Sequence, residues 1–107
     1  MTYRVTLRDV AVKDFRSLDG ETQRQAQRQL DKLKKSPKVG ADLGSKMGAD
    51  LTGYRALHFG KNHYRIVYRV LEPEKEVEVW GIARREGGAV YRMVGKRVED
   101  EKTGKGA

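Results

Sequence analysis

The run Tyr64-Arg-Ile-Val-Tyr-Arg69 decides the fold, because aromatic and β-branched residues alternate with arginine in the period of a pleated strand. Tyr64, Ile66, Tyr68 and Val70 fall on one face and are expected in the core. Two further strands flank this one, which spans about 63–71. Gly53-Tyr-Arg-Ala-Leu57 leads into a strand at about 54–59, and Val77-Glu-Val-Trp-Gly-Ile82 lies within another at about 76–84. Glu72-Pro-Glu74 reads as a turn, so the three strands form consecutive antiparallel hairpins. Strict alternation places Trp80 and Ile82 on one face with Glu78 and Arg84.

Toward the N-terminus, Tyr3, Val5 and Leu7 alternate with Arg4, Thr6 and Arg8, the pattern of a half-buried strand. Asp9 is a candidate cap for a short helix marked by Ala11, Phe15 and Leu18. Asp19 is the candidate cap of a longer helix, about 20–35, that buries Ala26, Leu30 and Leu33. Its charges run from Glu21 to Lys32, Lys34 and Lys35, as the helix dipole favours, and Pro37 stops it. Residues 38–53 contain Gly40, Gly44, Gly48 and Gly53 without a sustained period, and read as a long connection with one turn near Leu43 to Met47. A short helix over about 89–97 closes the fold, and the tail from 98 to 107 is expected to be polar and disordered. The order β-α-α-β-β-β-α predicts one α+β domain over residues 1–97. Its curved antiparallel sheet carries the N-terminal strand, with the helical hairpin on one face and the other face free for a ligand.

A chain of 107 residues suits one domain with one modest core and leaves no room for a cofactor domain. Lys and Arg number 23 against 15 Asp and Glu, a net charge of +8 that favours nucleic acid or an acidic protein as partner. The absence of cysteine excludes disulfides and thiolate metal sites. Met1-Thr-Tyr-Arg-Val-Thr-Leu-Arg8 contains no apolar run, so neither a signal peptide nor a membrane span is expected, and a cytoplasmic location follows. The sequence offers no Ser/His/Asp set, carboxylate pair or metal cluster, and Gly87-Gly88 lacks the spacing of a phosphate-cradling loop. That absence disfavours ordinary hydrolases and agrees with an enzyme whose catalysis is largely electrostatic.

Fixed positive charge is supplied by Arg55, Arg65 and Arg85, followed by Tyr91. The order Gly53-Tyr-Arg-Ala-Leu57, turn, Tyr64-Arg-Ile-Val-Tyr-Arg69, strand ending in Ala83-Arg-Arg85, then Val90-Tyr91 resembles the active-site signature of the RelE/ParE toxin superfamily, and in particular its RelE-like mRNA interferase branch. The resemblance implies a RelE-like fold and the toxin of a type II toxin-antitoxin system. It further implies an endoribonuclease that cuts mRNA in the ribosome by attack of a 2′-hydroxyl on the adjacent phosphate. The implied partners are an acidic antitoxin, the ribosome and mRNA, with no membrane, cofactor or metal.

By the same resemblance Arg55 and Arg65 hold the phosphate, Arg85 serves phosphate and leaving group, and Tyr91 stacks on a base or moves a proton. Guanidinium suits the phosphate role because it is always charged and forks onto two oxygens. Many ribosome-dependent members carry lysines on the strand of Arg55, where this chain has Arg55, Leu57 and His58. His58, an imidazole that exchanges protons near neutral pH, takes the role of general base if it faces the cleft. Arg84, Lys61, Lys32, Lys34 and Lys35 are the expected RNA contacts. Two rival functions share the fold: a ParE-like gyrase poison without RNA chemistry, and an inactive toxin-like binding module. Arg65 as an ion-pair partner of Glu78, and Tyr91 as a core aromatic, are the corresponding structural roles.

Hairpin parity decides which groups meet. A three-residue loop, Gly60-Lys61-Asn62, pairs Phe59 with His63 and puts Arg55, Leu57 and Arg65 on one face. A two- or four-residue loop instead puts His58 beside Arg65. The left-handed conformation that Asn62 tolerates favours the three-residue loop.

Overall fold

The chain runs β1 (Arg4–Leu7), α1 (Asp9–Arg16), α2 (Gly20–Lys35), β2 (Ala41–Lys46), β3 (Ala49–Phe59), β4 (Tyr64–Leu71), β5 (Glu76–Arg84), a 3-10 turn (Glu86–Gly88) and α3 (Ala89–Thr103). The computed structural model describes residues 2–46 and 48–104; Met47 and the end of the expected tail lie outside the described residues. The five strands form one sheet in the order β1-β5-β4-β3-β2, an α+β fold as expected.

Its first core lies under the helical hairpin. The side chain of Asp19 accepts a hydrogen bond from the Thr22 N–H at 2.8 Å and starts α2, whose Ala26, Leu30 and Leu33 are buried against Leu57, Ile66 and Tyr68. Tyr64 and Val70 pack on the same cluster, so the face assigned to β4 is correct. Asp9 does not cap α1: Arg8 is the N-cap residue without a side-chain bond, and Asp9 stands in the first turn, where its charge suits the dipole.

Four expectations are corrected. β1 pairs with β5 in parallel, so the sheet is mixed; the two-helix crossover carries the chain from one sheet edge to the other, and β1 meets a strand far along the sequence. The connection 38–53 contains β2 and the start of β3, hidden by a register shift between Asp42 and Gly44 and by left-handed Gly44 at φ 66°. A bulge in β5 puts Val79 opposite Tyr68 and Gly81 opposite Val67, so Trp80 and Ile82 enter different cores. Last, α3 continues to Thr103, past the expected end at 97 and into the expected tail.

This longer α3 also fills the face expected to be free. Val90, Val94 and Val98, four residues apart, bury one stripe against Leu51, Tyr54, Ala56, Val67 and Trp80. Contact is close: a Cβ at Gly81 would sit 2.6 Å from a methyl of Val94. Trp80 is clamped by charge, with Arg8 3.9 Å from its ring centroid and its indole N–H donating to Glu78 at 2.8 Å.

One side-chain pair finishes the sheet. The β1 register ends at Leu7 opposite Val79, and beyond it Asp14 accepts from the Ile82 N–H at 3.0 Å while Arg97 donates to the Trp80 carbonyl at 3.0 Å. Asp14 and Arg97 bond each other at 2.8 and 3.1 Å, tying α1 to α3 across an edge that no strand covers.

Candidate functional site

What remains open on the second face is its rim, at the β3–β4 turn. Four residues make that turn. Gly60, Lys61 and Asn62 all take positive φ (60°, 54° and 73°), and the His63 N–H closes onto the Gly60 carbonyl at 3.1 Å. Phe59 therefore pairs with Tyr64 and His58 with Arg65, which overturns the three-residue loop: Asn62 is left-handed as expected, but two left-handed neighbours precede it.

The register divides the expected site. Arg55 pairs with Tyr68, on the hairpin side, and its guanidinium donates to the Gly40 carbonyl at 2.7 Å and the Lys38 carbonyl at 3.2 Å and meets Asp42 at 3.4 Å. These bonds tie the β2 entry to β3. Arg65 faces the α3 side with His58 and Ala83, so Arg55 and Arg65 stand on opposite faces. Glu78 takes Arg69 at 2.7 Å, and Arg65 is not its partner.

Arg65 and Arg85 do converge. Arg65 donates to the Asn62 carbonyl at 3.0 Å and to that of Tyr64 at 3.1 Å, and Arg85 Nε donates to the same Asn62 carbonyl at 3.1 Å. The Arg85 N–H bonds the His63 carbonyl at 3.0 Å, which fixes the end of β5 to the turn. Left-handed Gly87 and Gly88, at φ 60° and 74°, swing the chain from there into α3, and Arg92 donates back to the Gly87 carbonyl. Tyr91 is thereby placed in the first turn of α3, half-buried on the second core.

A cavity of about 390 Å³ opens beside the pair, lined by His63, Arg84, Arg85, Glu86 and Gly87. Arg84 points to the other face, where it lies over the Tyr64 ring at 5.2 Å and meets Glu86 at 3.6 Å. His63, the expected partner of Phe59, instead belongs to the turn and lines this cavity. Lys61 is exposed at the tip of the turn. Lys32, Lys34 and Lys35 belong to α2, with Lys34 held by Asp31 at 3.3 Å, and they form a surface separate from the arginine pair. Among the described residues no group of three or more His, Asp or Glu is arranged to hold a metal.

Comparison with known proteins identifies the family and the fold. A protein of Escherichia coli named as a RelE-like toxin is 27% identical over 101 residues, covering 92% of this chain and 99% of its own. The free E. coli toxin RelE, solved in a mutant form, superposes with a TM-score of 0.71 at 24% identity, over 92% of this chain and 99% of that one. The toxin-antitoxin complex RelBE2 of Mycobacterium tuberculosis gives a TM-score of 0.68 at 22% identity, over 79% and 100% of the two chains. The family model described as ParE toxin of type II toxin-antitoxin system, parDE, matches residues 5–87, the stretch that holds the sheet and the three arginines. The chain belongs to this toxin family, within the RelE/ParE superfamily.

Proposed function

We propose that this toxin is a ribosome-dependent endoribonuclease that cuts mRNA at the rim formed by His58, Arg65, Arg85 and Tyr91. The observation that carries the reading is the convergence of two guanidiniums on one oxygen, the Asn62 carbonyl. Two donors that reach one oxygen can hold a phosphate whose charge grows in the transition state, an effect worth about 10²–10³ in rate per donor.

In the reaction the 2′-oxygen bonds to phosphorus as the bond from phosphorus to the 5′-oxygen breaks, leaving a 2′,3′-cyclic phosphate and a 5′-hydroxyl. His58, paired across the strands with Arg65, takes the 2′ proton. Arg65 and Arg85 bind the phosphoryl oxygens. Tyr91 stacks on a base or supplies the proton to the departing 5′-oxygen. Arg55, on the opposite face, supports the sheet.

The partner of such a toxin is an acidic antitoxin that neutralises the +8 chain. The ribosome positions the message. A second reading, a gyrase poison, is favoured by the description of the matched family and needs no RNA chemistry. Induced expression without an antitoxin separates them: growth arrest with broken messages and intact DNA is expected here. Arrest with intact messages and gyrase-linked DNA breaks sinks the nuclease, and unimpaired growth at confirmed soluble expression points to an inactive module.

A further inference from the structure

The chain has two histidines, and the four-residue turn brings both to the arginine pair. His58 pairs with Arg65 across β3 and β4. His63 stands on the other flank, two residues before Arg65, and its carbonyl accepts from the Arg85 N–H at 3.0 Å where the β4–β5 register runs out at Tyr64 and Arg84. Its own N–H closes the turn onto Gly60 at 3.1 Å, so its backbone is held at both ends. The imidazole is exposed, and His63 lines the cavity of about 390 Å³ that Arg85 shares.

Cutting an RNA backbone with its own 2′-oxygen moves two protons, one off the nucleophile and one onto the departing 5′-oxygen. The rim offers three kinds of group for the second transfer. Guanidinium keeps its proton past about pH 12 and phenol to about pH 10, whereas imidazolium gives one up near neutrality. Arg65 and Arg85 serve as donors at one oxygen, the Asn62 carbonyl, and Tyr91 packs half-buried on the second core. His63 is the group beside them whose chemistry suits proton release.

We propose that His63 is the general acid of this cleavage, giving its proton to the 5′-oxygen while His58 takes the one from the 2′-hydroxyl. The assignment rests on the endoribonuclease reading and goes beyond it by naming the proton donor. As the 2′-oxygen bonds to phosphorus, the bond from phosphorus to the 5′-oxygen breaks, its electron pair stays on that oxygen, and the proton of His63 completes the 5′-hydroxyl. His58 ends charged and His63 neutral, and exchange with water resets both. In the cavity His63 faces Arg84, Arg85 and Glu86, with Lys61 and Arg65 two residues away on either side in the chain. The Glu86 carboxylate and the phosphate of the message offset these cations, so a charged imidazole can stand among them. Tyr91 is then left to stack on a base.

The test uses single-turnover cleavage on programmed ribosomes with two messages, one natural and one carrying sulfur in place of the 5′-oxygen at the linkage the parent cuts. A thiolate leaves without a proton. His63→Ala should therefore lose about 10²-fold or more on the natural message and stay within about threefold of the parent on the sulfur message. His58→Ala should be slow on both, because the 2′ proton must still be removed, and Tyr91→Phe should show no loss confined to oxygen. Melting curves accompany each variant, and His63→Asn replaces His63→Ala if alanine lowers the melting temperature. A parent that cuts neither message removes the endoribonuclease reading and the proposal with it. A parent that cuts, with the folded His63 variant slowed equally on both messages or on neither, overturns the proposal alone, as does an oxygen-only loss in Tyr91→Phe in place of His63→Ala.

Discussion

Arg65 and Arg85 donate to one and the same acceptor, the carbonyl oxygen of Asn62, at 3.0 and 3.1 Å. Two like charges held this close are tolerated because a backbone oxygen and open solvent share them, and they remain able to turn onto an incoming phosphate. The two residues should therefore act as a unit. In a double-mutant cycle on single-turnover RNA cleavage, Arg65→Ala combined with Arg85→Ala should lose clearly less than the product of the single losses. Strictly multiplicative losses would mean that the two side chains act on separate oxygens.

His58 and Arg55 are distinguished by register. His58 pairs with Arg65 at the rim, whereas Arg55 is bound to the Gly40 and Lys38 carbonyls on the other side of the sheet. Loss of a positioned general base costs about 10²–10⁴ in rate, so His58→Ala should fall in that range with an unchanged melt. Arg55→Ala should instead lower the melting temperature and keep cleavage within a fewfold of the parent. The opposite pattern would return Arg55 to the chemistry and remove His58 from it.

The side-chain bridge at the free end of β5 predicts a loss of stability. Asp14 and Arg97 are both largely shielded, and each also satisfies a backbone group of β5. Arg97→Ala leaves Asp14 and the Trp80 carbonyl short of a donor, which should cost about 1–3 kcal/mol in urea denaturation. Arg97→Lys, which keeps the charge but not the fork, should recover only part of it. A change below about 0.5 kcal/mol would show that water replaces the bridge without cost.

Much of this fold is legible in the sequence, and what is not legible has physical causes. Local signals held: Asp19 as a cap, the stripe Ala26, Leu30 and Leu33, and the strand face of Tyr64, Ile66 and Tyr68. Errors arose where backbone geometry broke a period. Gly44 and the adjoining register shift disguised β2, and the bulge at Trp80 divided a face that alternation had joined. At the site, the chemistry-bearing residue types were visible, but their grouping depended on whether the turn after Phe59 held three residues or four. The Asp14–Arg97 bridge joins residues 83 apart and leaves no local signal. The length of α3 was readable in the spacing of Val90, Val94 and Val98, outweighed by the polar run that follows.

Asp19 gives a pH dependence with a defined sign. The Thr22 N–H, followed by the Thr22 hydroxyl and the charge of Arg24, holds its carboxyl below the ordinary carboxylate range. A depressed folded-state value means that its contribution is present above the unfolded carboxylate pKa, about 4, and is lost as pH falls through the folded one. The melting-temperature gap between the parent and Asp19→Ala should be open at pH 6 and narrow toward pH 2. A gap that stays constant with pH would assign the effect to helix propensity instead of the charged cap.

Single-turnover cleavage on programmed ribosomes by Arg65→Ala and by Arg85→Ala, each with its melting curve, tests the central claim most directly. Each substitution should slow cleavage about 10²-fold or more, because each removes a guanidinium from the transition-state phosphate. The melting temperature should barely move, since exposed charge contacts are worth under about 1 kcal/mol. If both variants cleave at the parental rate while unfolding much more easily, the pair that meets at Asn62 holds the turn together and the cutting site lies elsewhere.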